Sequence, residues 1–240
     1  MTATSGGSHS AGRVAAAWGV HLLTASSAPA GLLAILATIR GDVATAFLWM
    51  AYALAVDAID GTLARAVRVK EVLPFVDGSR LDDVVDYVTY VIVPAFFVVQ
   101  AGLLPPAAAI PVASLVLVAS GYGFSQTAAK TPDHYFTGFP SYWNVVAFYL
   151  YVLHWPPAAN AAVLTLLAVL VFVPLRYAYP SRMTELRAPT VILGLAWGAV
   201  LLWALFRFDA VPRPVLTWSL AYPAYYVGIS LYLHAKRLSA

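Results

Sequence analysis

The chain has 240 residues, of which 61% are apolar and 10% charged, with a formal net charge of +3 and no cysteine. Soluble domains run at roughly 45–50% apolar and about 25% charged, so this chain has too few charges to coat a water-facing surface. Soluble globular, disordered and collagen-like classes are excluded. An all-α polytopic bundle in a membrane remains. The missing cysteines exclude disulfides, thiol catalysis and cysteine-ligated metals, and no nucleic-acid partner is expected.

Residues 1–12 are rich in Gly, Ser, Thr and Ala and read as a flexible tail ahead of a single transmembrane domain over 13–240. The apolar stretch after Arg13 is too long for a cleavable signal peptide. Charge-free windows then mark the spans, each needing about 20 residues of helix. Val14–Ile39 crosses once, and Val43–Val56 runs apolar up to the acids that begin at Asp57. Tyr87–Ala129 is 43 residues without a formal charge, enough for two crossings with a turn at Leu103-Leu104-Pro105-Pro106. His134–Leu175 holds two more, divided near His154-Trp155-Pro156-Pro157, and Ala188–Phe206 and Pro214–Ala235 hold one each. The pattern predicts eight transmembrane helices, near 14–39, 43–67, 80–102, 105–129, 139–155, 157–177, 188–207 and 213–234.

Lysine and arginine set the orientation. With the N-terminus inside, the inner segments carry Arg13, Arg65, Arg68, Lys70, Arg80, Lys130, Arg176, Arg182, Arg187, Lys236 and Arg237. The outer loops carry only Arg40, Arg207 and Arg213. Both termini are therefore expected in the cytoplasm.

Acids are distributed less evenly. Of eleven, seven fall between residues 57 and 86: Asp57, Asp60, Glu71, Asp77, Asp82, Asp83 and Asp86. An acid at mid-bilayer costs roughly 2.5–3.5 kcal/mol, less near the interface, so a chain this sparing with charge has a use for them. Asp57 and Asp60 are three apart and share a helix face; Asp82 and Asp86 are four apart and share another. If the two faces meet, four carboxylates converge and need cations among them. All-oxygen ligands favour Mg²⁺, Mn²⁺ or Ca²⁺, and four carboxylates can hold two ions. Gly61 and Ala64 lie on the Asp57 face and Gly78 on the Asp82 face, clearing bulk where something approaches the backbone. Arg65 adds a cation suited to phosphate. Together these residues read as a diphosphate site. Taken singly they are also explained by small-residue helix packing and by ion pairs from Arg65 and Arg68 to Asp57 and Asp60.

The run Asp57-x-x-Asp60-Gly61-x-x-Ala64-Arg65, then Gly78-x-x-x-Asp82-x-x-x-Asp86, is similar to the signature of the CDP-alcohol phosphotransferases. One departure is the twelve residues between Arg65 and Gly78, about one helical turn more than the pattern usually has. Further stretches, Val67 to Pro74, Asp82 to Tyr90 and Phe136-x-Gly138-Phe139-Pro140-x-x-Trp143-Asn144, resemble the bacterial phosphatidylcholine synthases within that family. The likeness covers nearly the whole chain.

The resemblance implies condensation of CDP-diacylglycerol with choline, releasing CMP, by a homodimer in the bacterial inner membrane with its active site facing the cytoplasm. It implies two Mn²⁺ or Mg²⁺ ions held by Asp57, Asp60, Asp82 and Asp86, with Asp86 also the catalytic base for the acceptor hydroxyl. Asp57, Gly61, Ala64, Arg65 and Gly78 would contact the nucleotide. As the last acid along its helix, Asp86 sits deepest in the membrane, which suits a base facing a desolvated alcohol.

Choline has no N–H to donate and is held by aromatic faces, sometimes with a carboxylate. Tyr90 is four residues beyond Asp86, and Tyr135, Phe136, Phe139, Tyr142 and Trp143 gather at the inner end of the fifth helix. Tyr90, Trp143, Asn144 and the spare acid Asp83 are expected to form the choline pocket, and Arg182 to hold lipid phosphate. His21, His154 and His234 read as structural or interfacial. Two rivals remain: a relative using serine or glycerol 3-phosphate as acceptor, for which Lys130 and Arg176 to Arg187 offer cations, and a divalent-cation transporter. Against the transporter, the acids gather at one membrane face and no paired broken helices appear.

Overall fold

The computed structural model describes residues 9–126, 135–180, 183 and 185–238, the side chains of 209 and 238 excepted. The described chain is overwhelmingly helical. Four helical stretches are long and apolar enough to cross a membrane: Ala11–Ile39, Val43–Val67, Pro106–Ser125 and Arg187–Phe206, with shorter apolar helices at Trp143–Val152 and Pro157–Leu170. Large apolar side chains such as Ile110, Val118, Leu195 and Phe206 face outward, as hydrocarbon requires of a helical bundle.

The first span is jointed. Helix α1 (Ala11–Ala25) meets α2 (Ser27–Ile39) at Ser26, because Pro29 has no N–H for the Ala25 carbonyl four residues back. Asp42 then caps α3 (Val43–Val67) by accepting from the Thr45 N–H at 3.1 Å. Hydrogen bonds from the Thr45 side chain and then its backbone hold the Asp42 carboxyl below the ordinary carboxylate range. Arg68, at φ 56°, ends α3 in the left-handed region. Ala11 and Gly12, read above as tail, already belong to α1.

The extra residues before Gly78 form a one-turn helix, α4 (Val69–Val72). Its Val69 and Val72, with Leu73, are buried against Ala17 and Val20 of α1. Asp77 caps the next helix, α5 (Gly78–Asp86), accepting from the Ser79 and Arg80 N–H groups at 3.1 and 3.3 Å. Tyr87–Ile92 continues as a π-helical turn and leads into α6 (Val93–Gln100). Pro94 explains the wider turn: it has no N–H for the Tyr90 carbonyl, so the helix ahead of it loosens to i→i+5. The predicted 80–102 helix is thus three segments in a row, α, π and α again, starting two residues early.

Helices α7 (Pro106–Ser125), α8 (Trp143–Val152), α9 (Pro157–Leu170) and α10 (Arg187–Phe206) follow. Each of α7 and α9 opens on a proline, whose missing N–H matters least there. The last stretch is jointed like the first. Helices α11 (Arg213–Ser219) and α12 (Ala221–Leu238) meet at Leu220, where Pro223 cannot donate to the Ser219 carbonyl.

Two short strands depart from the all-helical expectation. β1 (Tyr135–Thr137) and β2 (Arg176–Ala178) pair antiparallel with Phe136 opposite Tyr177. The predicted helices at 139–155 and 157–177 are therefore shorter: α8 (Trp143–Val152) starts only after β1, and α9 (Pro157–Leu170) ends ahead of β2. Helix α12 holds the ribbon down: Ala178 N–H donates to Ser230 Oγ at 3.0 Å, and the Tyr226 hydroxyl donates to the Ala178 carbonyl at 2.9 Å. Gly138, at φ 79°, lies so close to the Val171 carbonyl that no side chain fits there. The main core joins α2, α3, α6, α7, α8 and α9 around Phe47, whose ring meets Phe97 at 4.6 Å and Phe148 at 5.3 Å.

Candidate active site between α3 and α5

Helix α1 packs on α3, α4 and α5 together, and this brings the two acid-bearing helices face to face. Asp57 of α3 and Asp82 and Asp86 of α5 each offer a carboxylate oxygen within 4.8 Å of the others, all half-buried. Two like charges at that separation repel by about 3.5 kcal/mol at an effective dielectric of about 20. Such a group keeps its charge only beside cations, and its hard oxygen donors suit a divalent ion. The acidic triad is therefore a candidate site for a divalent cation.

Asp60, the fourth expected ligand, is outside that triad. It is buried, and its Oδ2 accepts from the Thr24 hydroxyl of α1 at 2.7 Å. Thr24 was missed in the sequence. The available signal was a hydroxyl one turn beyond His21 in a span without charged residues. Arg65 is exposed and donates to Thr62 Oγ1 at 3.0 Å, and a Cβ on Gly61 would meet only the Arg65 guanidinium, at 3.4 Å. The floor around Gly61 is thus open, whereas Ala64 packs against the small apolar cluster shared by α1 and α4. Gly78 is different: a Cβ there would lie 2.8 Å from Cε1 of His21. The small residue clears space for a side chain of this protein. Arg68 pairs with Glu71 at 3.8 Å and Arg80 with Asp77 at 3.2 Å, all exposed.

The residues expected around choline are divided. Tyr90 joins the acids, its hydroxyl donating to Asp57 Oδ2 at 2.7 Å. The π turn carries Tyr90 to this position, consistent with the frequent use of such turns at functional sites. Its ring lies 6.2 Å from that of Tyr142, which lies 6.3 Å from Tyr226 of α12. Tyr226 was not foreseen. Trp143 goes into the core instead. It lines an apolar crevice with Pro94, Ala95, Leu104 and Leu164, and its indole N–H donates to Ser120 Oγ at 2.7 Å. Asn144 is buried at the start of α8, its Oδ1 accepting from the Val145 N–H. Asp83 is half-buried next to Asp82 but outside the triad. Arg182, Lys130 and His134 lie outside the described residues.

Fold and site together define a helical membrane protein with a cation-suited carboxylate triad. No family model matches the chain. It is similar to curated proteins named phosphatidylcholine synthase. That of Legionella pneumophila is 39% identical over 90% of this chain and 88% of its own. That of Bradyrhizobium diazoefficiens is 42% identical over 90% of this chain and 80% of its own. That of Pseudomonas aeruginosa is 39% identical over 92% and 93%. The chain belongs to the phosphatidylcholine synthase family.

Proposed function

We propose that this protein condenses CDP-diacylglycerol with choline, giving phosphatidylcholine and CMP. The observation that carries this reading is the meeting of Asp57, Asp82 and Asp86 within 4.8 Å on two neighbouring helices, in a chain that matches its named relatives over nine-tenths of its length. Asp57, Asp82 and Asp86 would hold one Mn²⁺ or Mg²⁺ ion, and Asp60, steadied by Thr24, would join the set for a second. Such ions neutralise phosphate charge and stabilise the departing nucleotide.

The chain's own groups do the rest. Asp86 accepts the proton from the choline hydroxyl, whose oxygen becomes bonded to the phosphatidyl phosphorus as the bond to CMP breaks. Gly61 leaves the α3 face open to the nucleotide, and Ala64, Arg65 and Gly78 border it. Tyr90 and Tyr142 turn aromatic faces to the trimethylammonium group. Trp143 and Asn144 fix the start of α8, and so the place of Tyr142, and Asp83 supplies the remaining negative charge.

On this reading the eight spans expected from the sequence cross the bacterial inner membrane as one domain over 13–240, with both termini and the active site on the cytoplasmic side and Arg182 near lipid phosphate. The working form is a homodimer. The test is purified protein with CDP-diacylglycerol, Mn²⁺ or Mg²⁺ and a panel of labelled alcohols. Metal-dependent CMP release with choline, and not with serine or glycerol 3-phosphate, is expected. Release with another alcohol alone, or none, refutes the proposal.

A further inference from the structure

Among the described residues, two buried side-chain polar atoms have no hydrogen-bond partner, His21 Nε2 and Asn160 Oδ1. Asn160 still uses its amide N–H, donating to the Leu103 carbonyl at 2.9 Å. His21 is 6% exposed, and a buried imidazole nitrogen left without a partner is costly and calls for an explanation. Its location supplies one. The ring rests on Gly78, the first residue of α5, at a distance that excludes any side chain there. One turn further along α5 stands Asp82. One turn further along α1, Thr24 holds Asp60. The unpartnered nitrogen therefore sits where α1 meets both acid-bearing helices. Beside it, Trp18 packs edge-on against the imidazole at 6.2 Å and against Phe75 at 6.3 Å. Trp18 is 43% exposed and Phe75 75%, so flat aromatic surface is available next to the buried nitrogen.

With the proton on Nε2, a partner for this place brings an acceptor oxygen, and a planar ring would find faces to stack on. A pyrimidine nucleotide has both. We propose that His21 is a further substrate-binding residue, donating from Nε2 to an acceptor oxygen of the donor's nucleotide. Gly78 is then glycine so that the imidazole can seat against α5. This inference rests on the reading of the chain as a CDP-dependent transferase.

The test uses the full chain in detergent and two variants. H21F keeps ring volume on Gly78 without nitrogens; H21A removes the ring. A hydrogen bond to a charged ligand corresponds to about a ten- to hundredfold change in affinity. Both variants are expected to raise the KM for CDP-diacylglycerol and the inhibition constant of CMP by that factor, with the choline KM unchanged within about twofold. CMP should raise the Tm of the wild type and not of H21F. Variants with wild-type KM and CMP inhibition overturn the inference alone, provided the wild type releases CMP. If one variant fails to accumulate, the other decides by the same measurement. A wild type that neither releases CMP nor is stabilised by it overturns this inference and the parent reading together.

Discussion

Replacing Thr24 by valine changes almost no volume and removes one hydroxyl. That hydroxyl lies 2.7 Å from Asp60 Oδ2 and 3.3 Å from the Val20 carbonyl. A single O–H proton cannot satisfy both, and the shorter bond, to the charged oxygen, takes it. Both side chains are buried, so water does not replace the lost donor. Hydrogen bonds to charged groups contribute roughly 1.5–3 kcal/mol, which corresponds to about a ten- to hundredfold change in an equilibrium constant. If Asp60 binds metal, Thr24→Val should raise the Mn²⁺ concentration for half-maximal CMP release by about that factor, as a freed carboxylate takes other orientations. Thr24→Ser keeps the hydroxyl and should recover most of the loss. A titration of activity against Mn²⁺ at saturating CDP-diacylglycerol reads the effect. If Thr24→Val titrates with the wild type, the bond does not position Asp60 for an ion and the argument fails.

Asp86→Asn should lower kcat by about 10²- to 10⁴-fold, the ordinary weight of a general base, measured as CMP release with choline saturating. Gly78→Ala places a methyl 2.8 Å from His21 Cε1; overpacking of this kind costs about 1–3 kcal/mol, so Tm should fall, and adding His21→Ala should restore it. Gly138→Ala meets the Val171 carbonyl from a backbone at φ 79° and should destabilise by about 2 kcal/mol or more. The Tm in detergent and faster proteolysis between residues 135 and 142 would report it.

The acids were legible because their spacing is local. Three and four residues fix a helix face regardless of what packs on it, and the Asp57, Asp82 and Asp86 triad follows once α3 and α5 touch. The extra turn before Gly78 was legible as length, though nothing local said that α4 would tuck under α1. Thr24 and Asp60 are 36 residues apart and His21 and Gly78 farther, so neither contact leaves a periodic mark. The ribbon was hidden for a related reason. Three-residue strands have no pattern of their own, and these persist because Ser230 and Tyr226 of α12 satisfy their backbone. Trp143 was expected to offer its face to choline because it is an aromatic near the inner end of the fifth helix, whereas the buried Ser120 hydroxyl accepts its indole N–H and lets the ring face the core.

The widened turn from Tyr87 to Ile92 has a consequence for what this segment tolerates. Removing one residue from it would tighten the coil to regular pitch and rotate everything on one side by about 100° relative to the other. Asp82 and Asp86 could then face α3 only if Phe97 and Val98 swung out of the interior, or the reverse. Tyr90 apart, side chains in this stretch are exchangeable one at a time, but its length is not: a one-residue deletion should be far more damaging than a single substitution at Val88, Val91 or Ile92.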